Sequence, residues 1–176
     1  VIAETVEIVA AWLRRSDLGL SGAIDEIEVR PGDRRPSYDD VDVLTRSDMS
    51  QAYWLQSGID RPSVFVSAGT MTVATPTHER SLDVGNVEVA VGWVIQSADS
   101  GEEYREASYV SRAILMSLRA LMAQHLDREV RGVQLMEIVG ATASIEGNEI
   151  PLTSREAEPG IRLYTVEFTA VVQDTT

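Results

Sequence analysis

The stretch SGEEYREASYVSRAILMSLRALMAQHL, residues 100–126, constrains the fold more than any other part of the chain. Ala107, Val110, Ile114, Leu118 and Leu121 recur at spacings of three and four, and Leu115 and Met122 widen that stripe. Arg105, Ser108, Arg112 and Arg119 fall on the opposite side. Such a pattern predicts one long amphipathic helix, with Ser100 and Glu103 spaced as a capping box and Asp99 as an alternative cap. A helix with so wide an apolar face needs an extended apolar surface to lie on.

Alternating runs on both sides supply that surface. In VEVAVGWVIQSAD, residues Val87, Val89, Val91, Trp93 and Ile95 share one parity, while Ala90 and Gly92 keep the other small enough for a helix or another subunit to approach. PSVFVSAGTMTVATPT gives a strand from Val64 through Met71 and Val73, joined to the first by the polar turn HERSLDVGN. Near the end, RLYTVEFTAVVQDTT sets Tyr164, Val166, Phe168, Ala170 and Val172 against Thr165, Glu167, Thr169 and Gln173. The strand-like GVQLMEIVGATASI is its expected partner. At the other end, Ile2, Val6, Val9 and Leu13, with Trp12 beside them, form one face of a helix over IAETVEIVAAWLRRSD. Arg14 and Arg15 fall in its last turn and GLSG stops it. AIDEIEVR then alternates as a half-buried strand with Ile27 and Val29 on one side. The expected fold class is α+β: a mainly antiparallel β-sheet with two α-helices packed on one face. Residues 1–176 form one domain, with long loop excursions at about 31–62 and 146–160.

Composition removes several chemistries. Cysteine is absent, and with it disulfides and thiolate metal sites; lysine is absent, and with it Schiff-base chemistry and the P-loop lysine. All 15 basic residues are arginine, which agrees with a GC-rich genome, and the net charge of −13 argues against tight nucleic-acid binding. No apolar run is long enough to span a bilayer, and the N-terminal stretch, with acids ahead of its basic pair, is the reverse of a signal peptide; a cytosolic site of synthesis is expected.

Candidate sites are few. His125 closes the long helix, where its charge complements the dipole, and His78 stands in a hairpin turn without a second ligand at metal spacing. Asp39, Asp40 and Asp42 in YDDVDV offer oxygens to Mg²⁺ or Ca²⁺, or form a solvated loop paired with Arg34 and Arg35. No Gly-x-Ser-x-Gly elbow, dinucleotide fingerprint or P-loop occurs. Trp12 and Trp93 belong to cores, whereas Trp54 fits a subunit interface as well as an interior. The stripe of Arg105, Arg112 and Arg119 is a solvated face or an inter-subunit ion-pair surface. The connection EGNEIPLTSREAEPG, carrying Asn148, Glu149, Arg155 and Glu156, is long enough to reach a neighbour.

The order helix, strand, excursion, two strands, helix, two strands, with its PSVFV, VEVAVGWVI, SYVSRAILMSLRALM and LYTVEFTAVVQD segments, resembles the tail-terminator (tail-completion) proteins of long-tailed bacteriophages. The resemblance spans most of the chain and lies in pattern and element order. It implies a virion structural protein of the neck, assembled in the host cytoplasm, that forms a hexameric ring capping the tail tube. Its partners would be further copies of itself, the tail-tube protein and connector or neck proteins, with DNA passing through the lumen without specific binding. No catalytic residue, metal or cofactor is expected on that reading. Three rivals stand beside it: another neck or tail component (a head-tail joining protein or tube subunit), a metal-dependent hydrolase using Asp39, Asp40 and Asp42, and a ligand- or peptide-binding module.

Overall fold

A computed structural model of the chain describes residues 1–36, 42–45, 63–73, 83–96, 100–124, 127–149 and 161–174. It contains helices α1 (Ile2–Leu13), α2 (Leu20–Glu26) and α3 (Ser100–Ala123). Its strands are β1 (Asp42–Thr45), β2 (Ser63–Val73), β3 (Asp83–Gln96), β4 (Glu129–Val130), β5 (Val133–Glu149) and β6 (Ile161–Asp174). The class is α+β, and the strands form one sheet in the order β1-β2-β3-β6-β5-β4.

Every pairing is antiparallel except that of β1 with β2. The β2–β3 hairpin places Val64 opposite Trp93 and Val66 opposite Val91. β6 inserts between β3 and β5, antiparallel to both, so those two strands run parallel to each other and need a crossover. α3 supplies it. The terminal strand is therefore central, and it pairs with β5 as the alternation predicts.

The alternating residues of β3 and β6 are buried together with Val64 and Val66 of β2 and with Val133 and Leu135 of β5. They share one hydrophobic cluster with Val9, Trp12 and Leu13 of α1 and with the whole Ala107–Leu121 stripe of α3. The sheet curls around α1, which touches β1 and β2 near one edge and β4 and β5 at the other. Trp12 Nε1 donates to the Ser117 carbonyl at 2.7 Å and ties α1 to α3. The opposite parity of the sheet carries Glu88, Glu137 and Glu167, all exposed.

Several expectations change. There are three helices rather than two, because residues read as the start of a strand form α2. Leu20, Ala23, Ile24 and Ile27 bury at spacings of three, one and three, a helical and not an alternating set. Gly19, taken as a stop signal, is the N-cap of α2. A Cβ at Gly22 would lie 1.9 Å from the Asp17 carbonyl oxygen, so only glycine allows the preceding turn to fold against the helix. α1 also ends at Leu13, placing Arg14 at its C-cap and Arg15 beyond it, where Arg15 pairs with Asp17 and Asp127 and covers the Trp12 ring at 4.8 Å.

The second long excursion is shorter than 146–160, because the β5–β6 ladder continues to Glu149 opposite Arg162. The first contains a short edge strand, β1, beside β2, where the alternation of VDVL allows one. Finally, Ser100 is the first residue of α3 rather than its cap, and Glu103 turns inward. Its carboxylate is 3% exposed and accepts a hydrogen bond from Tyr164 Oη at 2.5 Å, with Arg162 Nε 3.8 Å away. A buried carboxylate gains more from a phenol across the core than from a backbone N–H at a solvated helix end.

Candidate functional site

Two surfaces gather the polar residues that the core does not consume. The first lies where the 28–36 segment crosses the outer side of α3. Tyr109 Oη accepts from the Arg30 N–H at 3.1 Å and donates to Asp33 Oδ2 at 2.6 Å. The other oxygen of Asp33 stands 3.2 Å from Arg105 Nε. This relay pins the segment to the helix and leaves a cleft of about 720 Å³, lined by Arg30, Tyr104, Arg105, Ser108 and Arg112 among others. Tyr104 is 57% exposed at its side, an aromatic side chain left largely in solvent.

Sequence candidates converge here in part. Arg105 and Arg112 line the same cleft, and Arg119 continues their row along α3, exposed like Arg112. Arg34 is exposed and acts on Glu106, whose carboxyl is pushed above the usual range by burial and by Glu102 and Glu103, with Arg34 opposing. Arg35 has a role in the fold. Its guanidinium donates to the carbonyls of Ile24 at 2.5 Å, Asp25 at 3.2 Å and Ile27 at 2.9 Å, closing the C-terminus of α2. Asp42 begins β1 opposite Ser63, and Asn148 and Glu149 close β5 opposite Leu163 and Arg162. The side chains of Asp42, Asn148 and Glu149 lie outside the described residues, as do Asp39, Asp40, Trp54, His78, His125, Arg155 and Glu156. Arg128 closes the C-terminus of α3: Nε donates to the Leu121 carbonyl at 3.1 Å, and a terminal nitrogen donates to that of Met122.

The second surface is the side of the sheet that, among the described residues, no helix covers. Ser67 and Gly69 of β2 and Gly140 and Thr142 of β5 rim a shallow hollow of about 530 Å³, with Glu88, Ala90, Glu167 and Thr169 among its lining. Glu88 faces Thr169 and Ala90 faces Glu167 in the ladder, so the two carboxylates are diagonal neighbours. Val84 and Val139 add exposed apolar area on this side.

Beyond the hollow, β4 covers the outer edge of β5 only at Val133 and Gln134. From Met136 to Glu149 that edge has β6 on one side and, among the described residues, no strand on the other. Three register shifts interrupt β5, at Leu135/Glu137, Val139/Thr142 and Ser144/Asn148, and Gly140 has φ +65° at the second. Bulges of this kind bend an edge and restrict which strand can pair with it.

Among the described residues, no group of three or more His, Asp or Glu stands together as a metal-binding set. No helix among them is long and apolar enough to cross a membrane. A comparison with known protein families finds none that matches the chain, and a comparison with curated proteins finds no similar sequence. The fold is α+β, a curled, mainly antiparallel sheet with three helices among the described residues.

Proposed function

We propose that the chain is a structural protein of a long-tailed bacteriophage neck, a tail terminator that closes as a hexameric ring on the tail tube and presents its other side to the connector. The observation that supports this most is the outer edge of β5, a long row of backbone donors and acceptors of which, among the described residues, β4 covers only two positions. An unpaired edge of that length invites a strand from another chain, and repeated head-to-tail pairing closes a ring when the rotation allows it. The net charge of −13 suits a lumen past which DNA slides, since phosphates find few cations there. In this reading the chain catalyses nothing and needs no cofactor. Negative-stain imaging of the purified protein tests it, with a ring whose central hole admits duplex DNA as the expected result. Light scattering that finds only monomer, alone and with tail-tube protein, overturns it. The position of the ring in the particle separates a terminator from a joining protein or a tube subunit.

A further inference from the structure

The exposed side of α3 carries a row of arginines, although the chain as a whole is strongly acidic. Arg105, Arg112 and Arg119 repeat every seven residues along the exposed side of α3, so their guanidiniums rise about 10 Å apart over roughly 21 Å of helix. Half-buried Leu115, Met116 and Met122 run beside them, and exposed Tyr104 stands at one end. Arginine and tyrosine on the exposed helix face, flanked by the half-buried methionines, are residue types enriched in protein contacts.

The uncovered side of the sheet carries the opposite charge. In the ladder, Glu167 on β6 and Glu88 on β3 are two levels apart, and Glu137 on β5 sits opposite Val171, four levels from Glu167. Strand spacing and rise place these three exposed carboxylates roughly 8–14 Å from one another, the same scale as the arginine repeat. Val84, Val139 and half-buried Val171 lie among them, and the hollow between β2 and β5 leaves room for protruding side chains.

We infer that the arginine row of α3 docks on the acidic, uncovered sheet face of a second copy of this chain. The two surfaces are on opposite sides of one molecule, so the contact is head-to-tail, leaves a free surface of each kind at either end, and propagates until a ring closes. This inference rests on the ring reading above and names the faces that meet in it. A helix laid on a bare sheet face also repeats between chains the layering that α3 makes within one. Arg105 is already held by Asp33, so Arg112 and Arg119 are the cations left for the neighbour.

Charge reversal tests the pairing with the intact chain. Arg112→Glu with Arg119→Glu alters only exposed helix positions, and Glu88→Arg with Glu167→Arg only exposed sheet positions, so circular dichroism should show both variants folded. Sedimentation should show self-association of each weakened roughly 100-fold, because like charges would face each other across the contact. Mixing the two variants should restore the oligomer as an alternating assembly, since the helix face of each is then complementary to the sheet face of the other, and a mixture that stays dissociated overturns the pairing. All four changes in one chain should restore the wild-type oligomer. A ring indifferent to both reversals overturns the face pairing and leaves the ring reading intact. A wild-type chain that stays monomeric overturns both. Variants that self-associate normally but no longer bind tail-tube protein assign the faces to that partner and overturn the inference.

Discussion

Replacing Tyr164 by phenylalanine removes one oxygen and leaves a buried carboxylate without its donor. The phenol lies 2.5 Å from Glu103 Oε1, Glu103 is 3% exposed, and its other described charged neighbour, Arg162, is 3.8 Å away with its side chain partly in solvent. A hydrogen bond to a charged group contributes about 1.5–3 kcal/mol, and a buried charge that loses its partner costs more than the bond itself. The ring of Tyr164, stacked on Trp93 with centroids 5.9 Å apart, is unchanged by the substitution, so packing contributes little. Tyr164→Phe should therefore lose about 2–4 kcal/mol, or roughly 5–15 °C in Tm for a chain of this size.

Urea denaturation of the wild type, Tyr164→Phe, Glu103→Leu and the double variant measures this as a thermodynamic cycle. If the cost is an orphaned carboxylate, the double variant should be more stable than the two single losses predict, with a coupling of about 1–3 kcal/mol. The pH dependence gives an independent check. Burial, and then the bond to Glu103, hold the Tyr164 hydroxyl protonated well above the ordinary value of 10.0. Above that value the unfolded chain releases this proton while the folded chain retains it, so stability falls as pH rises. Tyr164→Phe should lack that component of the alkaline loss. A Tyr164→Phe protein within about 0.5 kcal/mol of wild type, with the same alkaline slope, would refute the reasoning.

Three further outcomes follow from single residues. Gly22→Ala should cost about 2–4 kcal/mol by calorimetry, since its methyl would meet a backbone carbonyl, whereas Gly69→Ala, with nothing within 4 Å, should be far milder. Arg35→Ala should lose about 1 kcal/mol, as removal of a helix cap does, and leave any self-association unchanged, because its guanidinium serves α2. Glu106→Gln should stabilise the fold at neutral pH, because its carboxyl is raised first by burial and then by Glu102 and Glu103. The folded chain binds that proton more tightly than the unfolded one, so the ionised form is a cost only above the carboxylate range. The advantage of glutamine should shrink as pH falls through that range, and a constant advantage across pH would assign it to another cause.

What the sequence discloses divides along the range of the interactions involved. β3, β6 and the α3 stripe are legible because each is long and repeats one period many times, so Val87–Ile95, Tyr164–Val172 and Ala107–Leu121 declare their buried sides. α2 is hidden because seven residues hold barely two turns. Its spacing shows only when Leu20 is counted with Ala23, Ile24 and Ile27, and a strand begun at Ala23 discards that first member. The arginines show the same limit at the level of sites. Arg105, Arg112 and Arg119 are one row because they share one helix, and local spacing reports that. Arg35 on the carbonyls of α2, Arg128 on those of α3, Asp33 beneath Tyr109 and Glu103 beneath Tyr164 are fixed by tertiary approach across 6 to 76 positions. No period encodes those meetings. The sheet face is intermediate, because the parity of Glu88 and Glu167 is readable strand by strand, whereas Glu137 shares its parity with buried Val133 and Leu135 and reaches the same face only through the register shift after Leu135. Their assembly into one acidic surface requires β6 to insert between β3 and β5, a choice made by the crossover through α3 and not by any strand alone.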